Sequence, residues 1–193
     1  MTIRLNIGCG GNIRPGYVNI DAFAPGPDFK MDAAHLAFCD RSCDEIFSSH
    51  VLEHLSKHEV LPILREWNRI LKTTGMVEII VPDLPWCMKQ WLRLPDSARW
   101  EWALDTIFGL QDHPGEFHKT GFSTDRLRQL LVEAGFERIE VSTRFDHGMQ
   151  SIRALAYGGG EQDDVTPHML SKWTVKHLVF LFYRLATYLS PKT

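Results

Sequence analysis

The stretch that decides the fold of this 193-residue chain is residues 5–12, which read Leu-Asn-Ile-Gly-Cys-Gly-Gly-Asn. An apolar run begins at Ile3 and stops abruptly at Gly8, a pattern that predicts a buried β-strand followed by a tight turn. Glycine adopts positive φ and has no Cβ, so a ligand can lie directly against the main chain of such a turn. The start of the chain therefore predicts a strand whose carboxyl end offers a binding turn.

A second short strand follows this turn and ends in a carboxylate. Residues 17–20 read Tyr-Val-Asn-Ile, and Asp21 comes directly after them. A glycine turn after one strand and an acid at the tip of the next are typical of a Rossmann-like sheet, where the acid accepts hydrogen bonds from ribose hydroxyls. The dinucleotide fingerprint itself is broken, because Ile13 stands where its third small residue is required. The pattern therefore argues against a dinucleotide as the ligand.

Four stretches, taken in order, resemble the class I S-adenosylmethionine-dependent methyltransferases. The glycine turn at residues 8–10 is similar to the first motif of that family, and residues 47–55, 77–83 and 120–136 are similar to later ones. The resemblance covers residues 3–157. It implies an α/β fold with a Rossmann-like, mostly parallel sheet. It also implies S-adenosylmethionine as the cofactor. In this chain the first crossover helix is expected to be abbreviated, and the two strands near residues 136–142 and 151–157 are expected to form an antiparallel edge.

The resemblance places the cofactor at the carboxyl ends of the first strands. The ammonium and carboxylate of a sulfonium cofactor suit exposed main-chain groups, so the glycine turn is expected to hold them. Asp21 is expected to accept both ribose hydroxyls, and Asp32, at the tip of a third strand, to meet the adenine amino group. A solvated turn for Asp21 and a cap for Asp32 are the structural alternatives. The expected cofactor-binding residues are Gly8, Cys9, Gly10, Asp21, Ala22, Asp32, Ala33 and Ser49.

Two features depart from the pattern of the family. Six residues separate Gly10 from Tyr17, which is short for a parallel crossover that usually contains a helix. Either this helix is a single turn around residues 12–16, or the strand order is unusual. Asn6 stands where many members of the family carry an acid, so one contact to the ammonium is expected to be weaker. Both departures favour, modestly, a methyltransferase-shaped binding or scaffold protein as the alternative function.

Two histidines are the candidate catalytic residues. His50 stands at the tip of the fourth predicted strand, the position that in the family faces the transferable methyl group. An imidazole there is suited to take a proton from a nucleophile, because it titrates near working pH. Methyl transfer by positioning alone, with a structural role for His50, is the alternative. His118, in the loop before the last predicted helix, is the second candidate.

Histidines and cysteines recur at intervals of four without predicting a metal site. The two sets are His50, His54 and His58, and His35, Cys39 and Cys43. This spacing holds a metal in His-Glu-x-x-His sites, but neither set has that signature and a strand tip interrupts the first. Capping or buried roles are therefore expected, and no metal ligand is predicted.

A cap and a set of regular elements complete the predicted domain, residues 1–157. Residues 83–122 hold four tryptophans and two short predicted helices, which would form a helical cap over the carboxyl ends of the strands. The tryptophans are expected either to form the core of the cap or to stack on an acceptor. Strands are expected near residues 29–31, 44–49, 76–81, 136–142 and 151–157, and helices from residue 56 or 60 to 72 and from 124 to 131.

Composition and charge are those of an ordinary soluble protein. The chain is 44% hydrophobic and 23% charged, and its net charge of −3 gives no general attraction for nucleic acid. The first strand begins almost at once, so no signal or transit peptide is expected. Four cysteines without paired spacing suggest a reducing, cytoplasmic setting.

Residues 158–193 are predicted to be a linker followed by a basic amphipathic helix. Residues 165–193 carry several basic side chains and no acid, and their apolar run is shorter than the ~20 residues that a membrane crossing needs. Packing against the domain or in a homodimer is one expectation. Peripheral contact with the inner face of the membrane is the other.

The sequence as a whole predicts in-line methyl transfer from S-adenosylmethionine to a small-molecule or glycan-type acceptor. An inactive scaffold protein is one alternative. A different nucleotide-using enzyme is another, although the chain has no Gly-Lys-Ser/Thr loop for phosphates.

Overall fold

The computed structural model describes residues 2–112 and 114–159, in which seven strands form one sheet of order β3-β2-β1-β4-β5-β7-β6. The first five strands run parallel, and β7 runs antiparallel to both β5 and β6. The predicted Rossmann-like α/β fold is confirmed, with an antiparallel hairpin at one edge of the sheet. The strands are β1 (Arg4–Ile7), β2 (Val18–Asp21), β3 (Phe29–Lys30), β4 (Cys43–Ser49), β5 (Leu71–Pro82), β6 (Glu137–Asp146) and β7 (Met149–Tyr157).

Helices within the described residues follow β4 and β5. A 3-10 turn, Leu52–His54, comes directly after β4, and a π-helical turn, Arg99–Ala103, joins two helices of the cap. Ser123 caps the last helix by accepting the amide of Arg126. The helices are α1 (Val60–Ile70), α2 (Leu84–Arg93), α3 (Asp96–Ala98), α4 (Leu104–Phe108) and α5 (Thr124–Glu133).

The junction between α1 and β5 lies earlier than the sequence predicts. The helix ends at Ile70 rather than near residue 72, and β5 begins at Leu71 instead of Met76. Leu71 pairs with Cys43 of β4, and after a register shift Met76 pairs with Glu45. Residues 72–75 are thereby included in the strand as the irregular stretch between these two pairs.

The hydrophobic core lies between the sheet and helices α1 and α5. Side chains alternate along a strand, so Leu5 and Ile7 of β1 face this core while Asn6 between them faces the other way. Trp67 of α1 is fully buried, and its Nε1 donates to the carbonyl of Ala33, 3.1 Å away. This bond fastens the loop between β3 and β4 to the helix.

No helix lies in the connection from β1 to β2, residues 8–17, although the strand order is regular. Both sequence expectations, a single helical turn and an unusual strand order, are therefore wrong. Hydrogen bonds from two buried asparagines replace the helix. Asn6 Nδ2 donates to the carbonyl of Asn12 and to Asn19 Oδ1, and Asn19 Oδ1 also accepts the amide of Arg14. The connection therefore lies on the sheet as a pinned loop.

Residues 160–193 lie outside the described residues. The predicted linker and basic amphipathic helix of residues 158–193, and the contacts expected of that helix, therefore stay untested. Within the described part of the chain, no helix combines the length and the apolar character needed to cross a membrane.

Candidate active site

The predicted cofactor residues meet at the carboxyl edge of the sheet. The strand order reverses between β1 and β4, the position where open α/β sheets bind ligands. Gly8 follows β1 directly, Asp21 ends β2, and Ser49 ends β4. Asp32 comes two residues after β3. The topology therefore brings the four predicted loops to one edge.

The two glycines of the first turn do different things. Both have positive φ, +68° at Gly8 and +52° at Gly10. A Cβ on Gly8 would lie 2.2 Å from Val51 Cγ2, so a neighbouring side chain already fills the space that was expected for a ligand. A Cβ on Gly10 would meet nothing within 4 Å. Gly10 therefore leaves the main chain open to a ligand, whereas Gly8 is needed for packing.

Main-chain bonds hold this turn against β2. The amides of Gly8 and Cys9 both donate to the carbonyl of Ile20, at 2.8 and 3.1 Å. The thiol of Cys9 is buried, and burial, with the charge of Asp21, raises its pKa. Cys9 therefore contributes a neutral packed side chain to the turn.

Asp21 joins the turn after β1 to the turn after β2. Its Oδ2 accepts the amide of Gly10 at 2.8 Å, and its Oδ1 accepts the amides of Phe23 and Ala24 at 2.8 Å. An ionised carboxylate has about four acceptor sites and these three bonds use most of them, so ribose hydroxyls would have to share the carboxylate with main-chain amides. The exposed Ala22 lies next to it. Asp21 is thus both a loop organiser and a candidate ribose ligand.

Asp32 shows the capping contacts that the sequence left open. Its Oδ1 accepts the amide of Ala34 at 2.8 Å, and its carbonyl accepts the amide of His35 at 3.0 Å. The side chain is exposed, while the neighbouring Ala33 packs partly against the core. The carboxylate therefore stabilises its own turn and also faces solvent at the edge where an adenine would bind.

His50 lies at the tip of β4 in a left-handed conformation, with φ +56°. Its Nδ1 is 3.0 Å from Glu53 Oε1, and its Nε2 is buried without a hydrogen-bond partner within the described residues. Burial lowers the pKa of His50, but the hydrogen bond and charge of Glu53 outweigh it, and the pKa is raised above its ordinary value of 6.5. The ring of His147, in the β6–β7 turn, lies 5.7 Å from the ring of His50.

His118 lies on the same side of the site, around Glu53. The carbonyl of Glu53 accepts the amides of Lys119 and Thr120, at 2.7 and 3.2 Å. These bonds place the His118 ring 5.0 Å from the ring of His54. Burial lowers the pKa of His118, against the opposing charge of Glu53. The structure therefore brings both predicted catalytic histidines to the surroundings of Glu53.

Sequence reasoning missed several residues of this site. Glu53 is 1% exposed and lies one helical turn after His50, a spacing that could have marked it as a partner. Asp83 follows β5, accepts the amide of Trp86 at the start of α2, and accepts a 2.7 Å bond from Gln150 Nε2. The only sequence feature that marks His147 is its place before a glycine in a turn. Its contact with His50 joins distant parts of the chain and has no local pattern.

Aromatic side chains of the cap extend towards the β6–β7 hairpin. The ring of Trp86 in α2 lies edge to face with Trp102 at 6.0 Å and with Phe145 of β6 at 5.9 Å. Trp102 is 37% exposed and Phe145 69% exposed. The cap tryptophans are thus partly packed on one another and partly open to solvent.

Comparison with known proteins supports the family suggested by the sequence. A methyltransferase domain family matches residues 12–79, which span β2 to most of β5. No curated protein sequence is significantly similar to the chain.

Several solved structures share the fold at low sequence identity. An S-adenosylmethionine-dependent methyltransferase from Methanosarcina mazei is 20% identical with a TM-score of 0.58, covering 82% of this chain and 92% of its own. The 1,6-didemethyltoxoflavin-N1-methyltransferase of Burkholderia thailandensis, with S-adenosylhomocysteine bound, is 13% identical with a TM-score of 0.58. The similarity to the Burkholderia thailandensis enzyme covers 82% of this chain and 71% of the chain of that enzyme. An Archaeoglobus fulgidus methyltransferase is 16% identical with a TM-score of 0.57, covering 81% and 86%.

The sheet order and the site at its switch point define a Rossmann-like methyltransferase fold. The methyltransferase-domain match over residues 12–79 agrees with this fold.

One neighbour with this fold holds S-adenosylhomocysteine, and the residues at the site of this chain are compatible with S-adenosylmethionine, the methylated form of that ligand. Gly10 leaves open space where a Cβ would stand, Asp21 and Asp32 place carboxylates at adjacent strand tips, and Ser49 lies at the end of β4. When bound, the cofactor supplies an electrophilic methyl group on its sulfonium. Because no helix follows β1, the loop of residues 8–17 would have to supply the groups that hold the carboxylate of a bound cofactor.

Proposed function

We propose that this protein transfers the methyl group of S-adenosylmethionine to a small-molecule or glycan-type acceptor, with His50 taking the proton that the acceptor loses. The observation that carries this proposal is the His50–Glu53 pair at the carboxyl end of β4. Glu53 is buried, and the far nitrogen of His50, Nε2, has no hydrogen-bond partner within the described residues. A base with one nitrogen oriented by a carboxylate and the other unpaired is suited to take a proton from an acceptor that reaches it.

Glu53 sets both the tautomer and the basicity of His50. A carboxylate at 3.0 Å favours the proton on Nδ1, which leaves Nε2 as the acceptor in the neutral ring. When Nε2 takes a proton, the resulting imidazolium is stabilised by the same carboxylate. This is the physical reason for the raised pKa of His50.

The acceptor class is supported by the aromatic surface beside the site. Trp102, Trp86 and Phe145 form a row of edge-to-face contacts from the cap to β6. Exposed aromatic faces suit a ring-shaped acceptor such as a sugar, which has one apolar face and polar edges. His147, at the tip of the same hairpin, lies beside His50. A small acceptor lying on this row would reach the predicted proton acceptor.

A methyltransferase-shaped binding protein is the second candidate function. The observation that favours it is the first turn, where the amides of Gly8 and Cys9 bond to Ile20 and the amide of Gly10 bonds to Asp21. Fewer turn amides are then available for the methionine end of the cofactor. Cofactor affinity distinguishes the two candidates.

Calorimetric titration with S-adenosylmethionine and S-adenosylhomocysteine tests the cofactor site. We expect micromolar binding, on the order of −8 kcal/mol, that Asp32→Ala weakens by roughly tenfold. Asp125→Ala, an exposed acid in the first turn of α5, is the matched control and should leave the affinity unchanged. If neither ligand binds the wild-type protein, the enzyme proposal fails and the binding-protein candidate is favoured.

Release of S-adenosylhomocysteine in the presence of candidate sugars and small aromatic acceptors tests the chemistry. His50→Gln should lower turnover by about 100-fold, the usual contribution of a general base, with little change in cofactor affinity. His58→Gln is the control, because His58 is exposed and lies outside the site. Equal turnover in wild type and His50→Gln would show that positioning alone drives the transfer.

A further inference from the structure

Three potential metal ligands from distant parts of the chain meet beside His50. Glu53 and His54 lie in the 3-10 turn after β4, and His118 lies in the loop before α5. Each offers one ligand atom, and these atoms all lie within 4.8 Å of one another. We propose that Glu53, His54 and His118 form a binding site for a divalent transition-metal ion of the zinc type.

The buried carboxylate is the observation that points to a cation. Glu53 is 1% exposed, its Oε1 is occupied by His50, and its Oε2 has no hydrogen-bond partner within the described residues. A buried, unsatisfied carboxylate oxygen is costly, because neither water nor a donor replaces its lost hydration. A metal ion bound to this carboxylate would remove that cost.

The two imidazoles are prepared to act as ligands. His54 Nδ1 lies 3.3 Å from the carbonyl of Phe117, which leaves Nε2 for a metal ion. A backbone carbonyl on the second ring nitrogen is the usual way in which a ligating histidine is oriented. His118 is held by the bond from its amide to the carbonyl of Phe108 at 2.9 Å.

Two imidazoles and one carboxylate are a donor set that holds zinc with a further position open. Tetrahedral zinc has bonds of about 2.1 Å, which places its ligand atoms roughly 3.4 Å apart. The three groups, now within 4.8 Å of one another, would close in around the ion. The same set also binds other transition metals of the two-histidine, one-carboxylate type, so cobalt is a suitable probe.

The site differs from both histidine series seen in the sequence. His58, which continues the spacing of four after His54, is exposed and lies outside the cluster. The ion would join the turn after β4 to the end of the cap, where the amides of Lys119 and Thr120 already bond to Glu53. In this role His118 is a ligand and not a proton acceptor. The inference concerns metal binding and does not depend on methyl transfer.

Metal titration of the untagged, full-length protein after chelator treatment tests this site. We expect one equivalent of Zn²⁺ by calorimetry, and one equivalent of Co²⁺ that gives visible d–d bands of a nitrogen and oxygen site. His54→Ala and His118→Ala should each weaken binding by more than about 100-fold, since even loss of an outer partner costs 10–100-fold. His58→Ala is the matched control and should bind as the wild type does.

Three results would overturn the proposal. These are no bound equivalent in the wild type, unchanged binding in both His54→Ala and His118→Ala, and a thiolate-to-cobalt charge-transfer band, which would assign the ion to cysteine. Far-ultraviolet circular dichroism checks the fold of each variant. His54→Ala is expected to fold normally, because His54 is only half-buried. Titration of the metal-free protein with S-adenosylmethionine is read separately, so failure of the metal site and failure of the cofactor site are distinguishable.

Discussion

At the scale of single residues, Asn19 stabilises the loop that replaces the first crossover helix. Asn19 is only 3% exposed, and its Oδ1 accepts hydrogen bonds from Asn6 Nδ2 and from the amide of Arg14, each at 2.8 Å. Asn19 Nδ2 also donates to Asp28 at 3.1 Å. One buried amide therefore satisfies groups from β1, from the loop and from the segment before β3.

We expect Asn19→Ala to lower the free energy of unfolding by about 2–4 kcal/mol, because it leaves buried donors and acceptors unpaired. Urea denaturation followed by tryptophan fluorescence measures this change. Asn12→Ala is the matched control, since Asn12 is exposed and contributes its backbone carbonyl to the network. A loss below about 0.5 kcal/mol in Asn19→Ala would show that the loop holds without this network.

Gly8 and Gly16 separate the cost of a positive φ from the cost of a steric clash. Both have positive φ, but a Cβ at Gly8 would lie 2.2 Å from Val51 Cγ2, whereas a Cβ at Gly16 would meet nothing within 4 Å. We expect Gly16→Ala to lower the free energy of unfolding by about 1–2 kcal/mol through its positive φ alone. Gly8→Ala should lower it by roughly 1–3 kcal/mol more, because of the clash. Thermal or urea unfolding of both variants measures the difference.

The double variant Gly8→Ala, Val51→Ala checks the cause of the extra cost. If the clash is responsible, removing the Val51 side chain should recover part of it, and the two substitutions should be non-additive. Additive effects would contradict the packing role assigned to Gly8.

At the scale of elements, Asp44 fastens the first residues of β4 to its two neighbours. Its Oδ2 accepts the amide of Ile3 at 2.8 Å, and its Oδ1 pairs with Lys72 of β5. Burial acts to raise the pKa of Asp44, but the bonds from Lys72 and Ile3 outweigh it and hold the pKa below its ordinary value of 3.8. A carboxyl group whose pKa is lowered by folding stabilises the fold at any pH above its pKa in the unfolded chain. This contribution is lost as the pH falls through its pKa in the folded protein.

Asp44→Asn should therefore lower stability at pH 7 by about 1 kcal/mol or less, since the ion pair is partly exposed. The difference from wild type should shrink as the pH falls below about 4, because the unfolded carboxyl then also binds a proton. Urea unfolding at a series of pH values measures both effects, with the exposed Asp125→Asn as the control. A difference that is constant from pH 7 to pH 3 would exclude the electrostatic explanation.

The elements also show how far the sequence determines the fold. Apolar runs ending at Gly8 and Asp21 predicted β1 and β2, because these short runs are continuously buried and stop at turn residues. The missing helix after β1 was not predictable in the same way. It is replaced by bonds between Asn6 and Asn19, which depend on the pairing of two strands.

The residues of the candidate site likewise fall into those that the sequence predicts and those that it does not. The positions of Gly10, Asp21 and His50 follow from strand ends, which the sequence marks with glycines and polar residues. The meeting of Glu53 with His118 depends instead on how the cap returns to the sheet, through bonds to the amides of Lys119 and Thr120. No local pattern encodes that return, so the metal cluster could not be predicted, although the spacing of three residues could have marked Glu53 as a partner of His50.

At the scale of the whole molecule, the two faces of the sheet differ in chemistry. Helices α1 and α5 cover the apolar face, whereas the opposite face carries ion pairs such as Arg4 with Glu45 at 3.2 Å and Arg153 with Glu78 at 2.6 Å. The guanidinium of Arg14 also lies 3.7 Å from the ring centre of Phe47 on that face. One apolar core extends across the sheet, so unfolding is expected to be a single cooperative transition.

Cofactor binding should then stabilise the molecule as a unit. A ligand that binds only the folded state at about 100 times its dissociation constant adds ~2.7 kcal/mol, which for a chain of this size corresponds to a rise of roughly 5–10 °C in Tm. Differential scanning fluorimetry with S-adenosylmethionine measures this rise. S-methylmethionine, a sulfonium without the nucleoside, should give no shift at the same concentration, because Asp21 and Asp32 are placed to bind the nucleoside. An equal shift with both ligands would mean that the carboxylates at the tips of β2 and β3 do not select the cofactor.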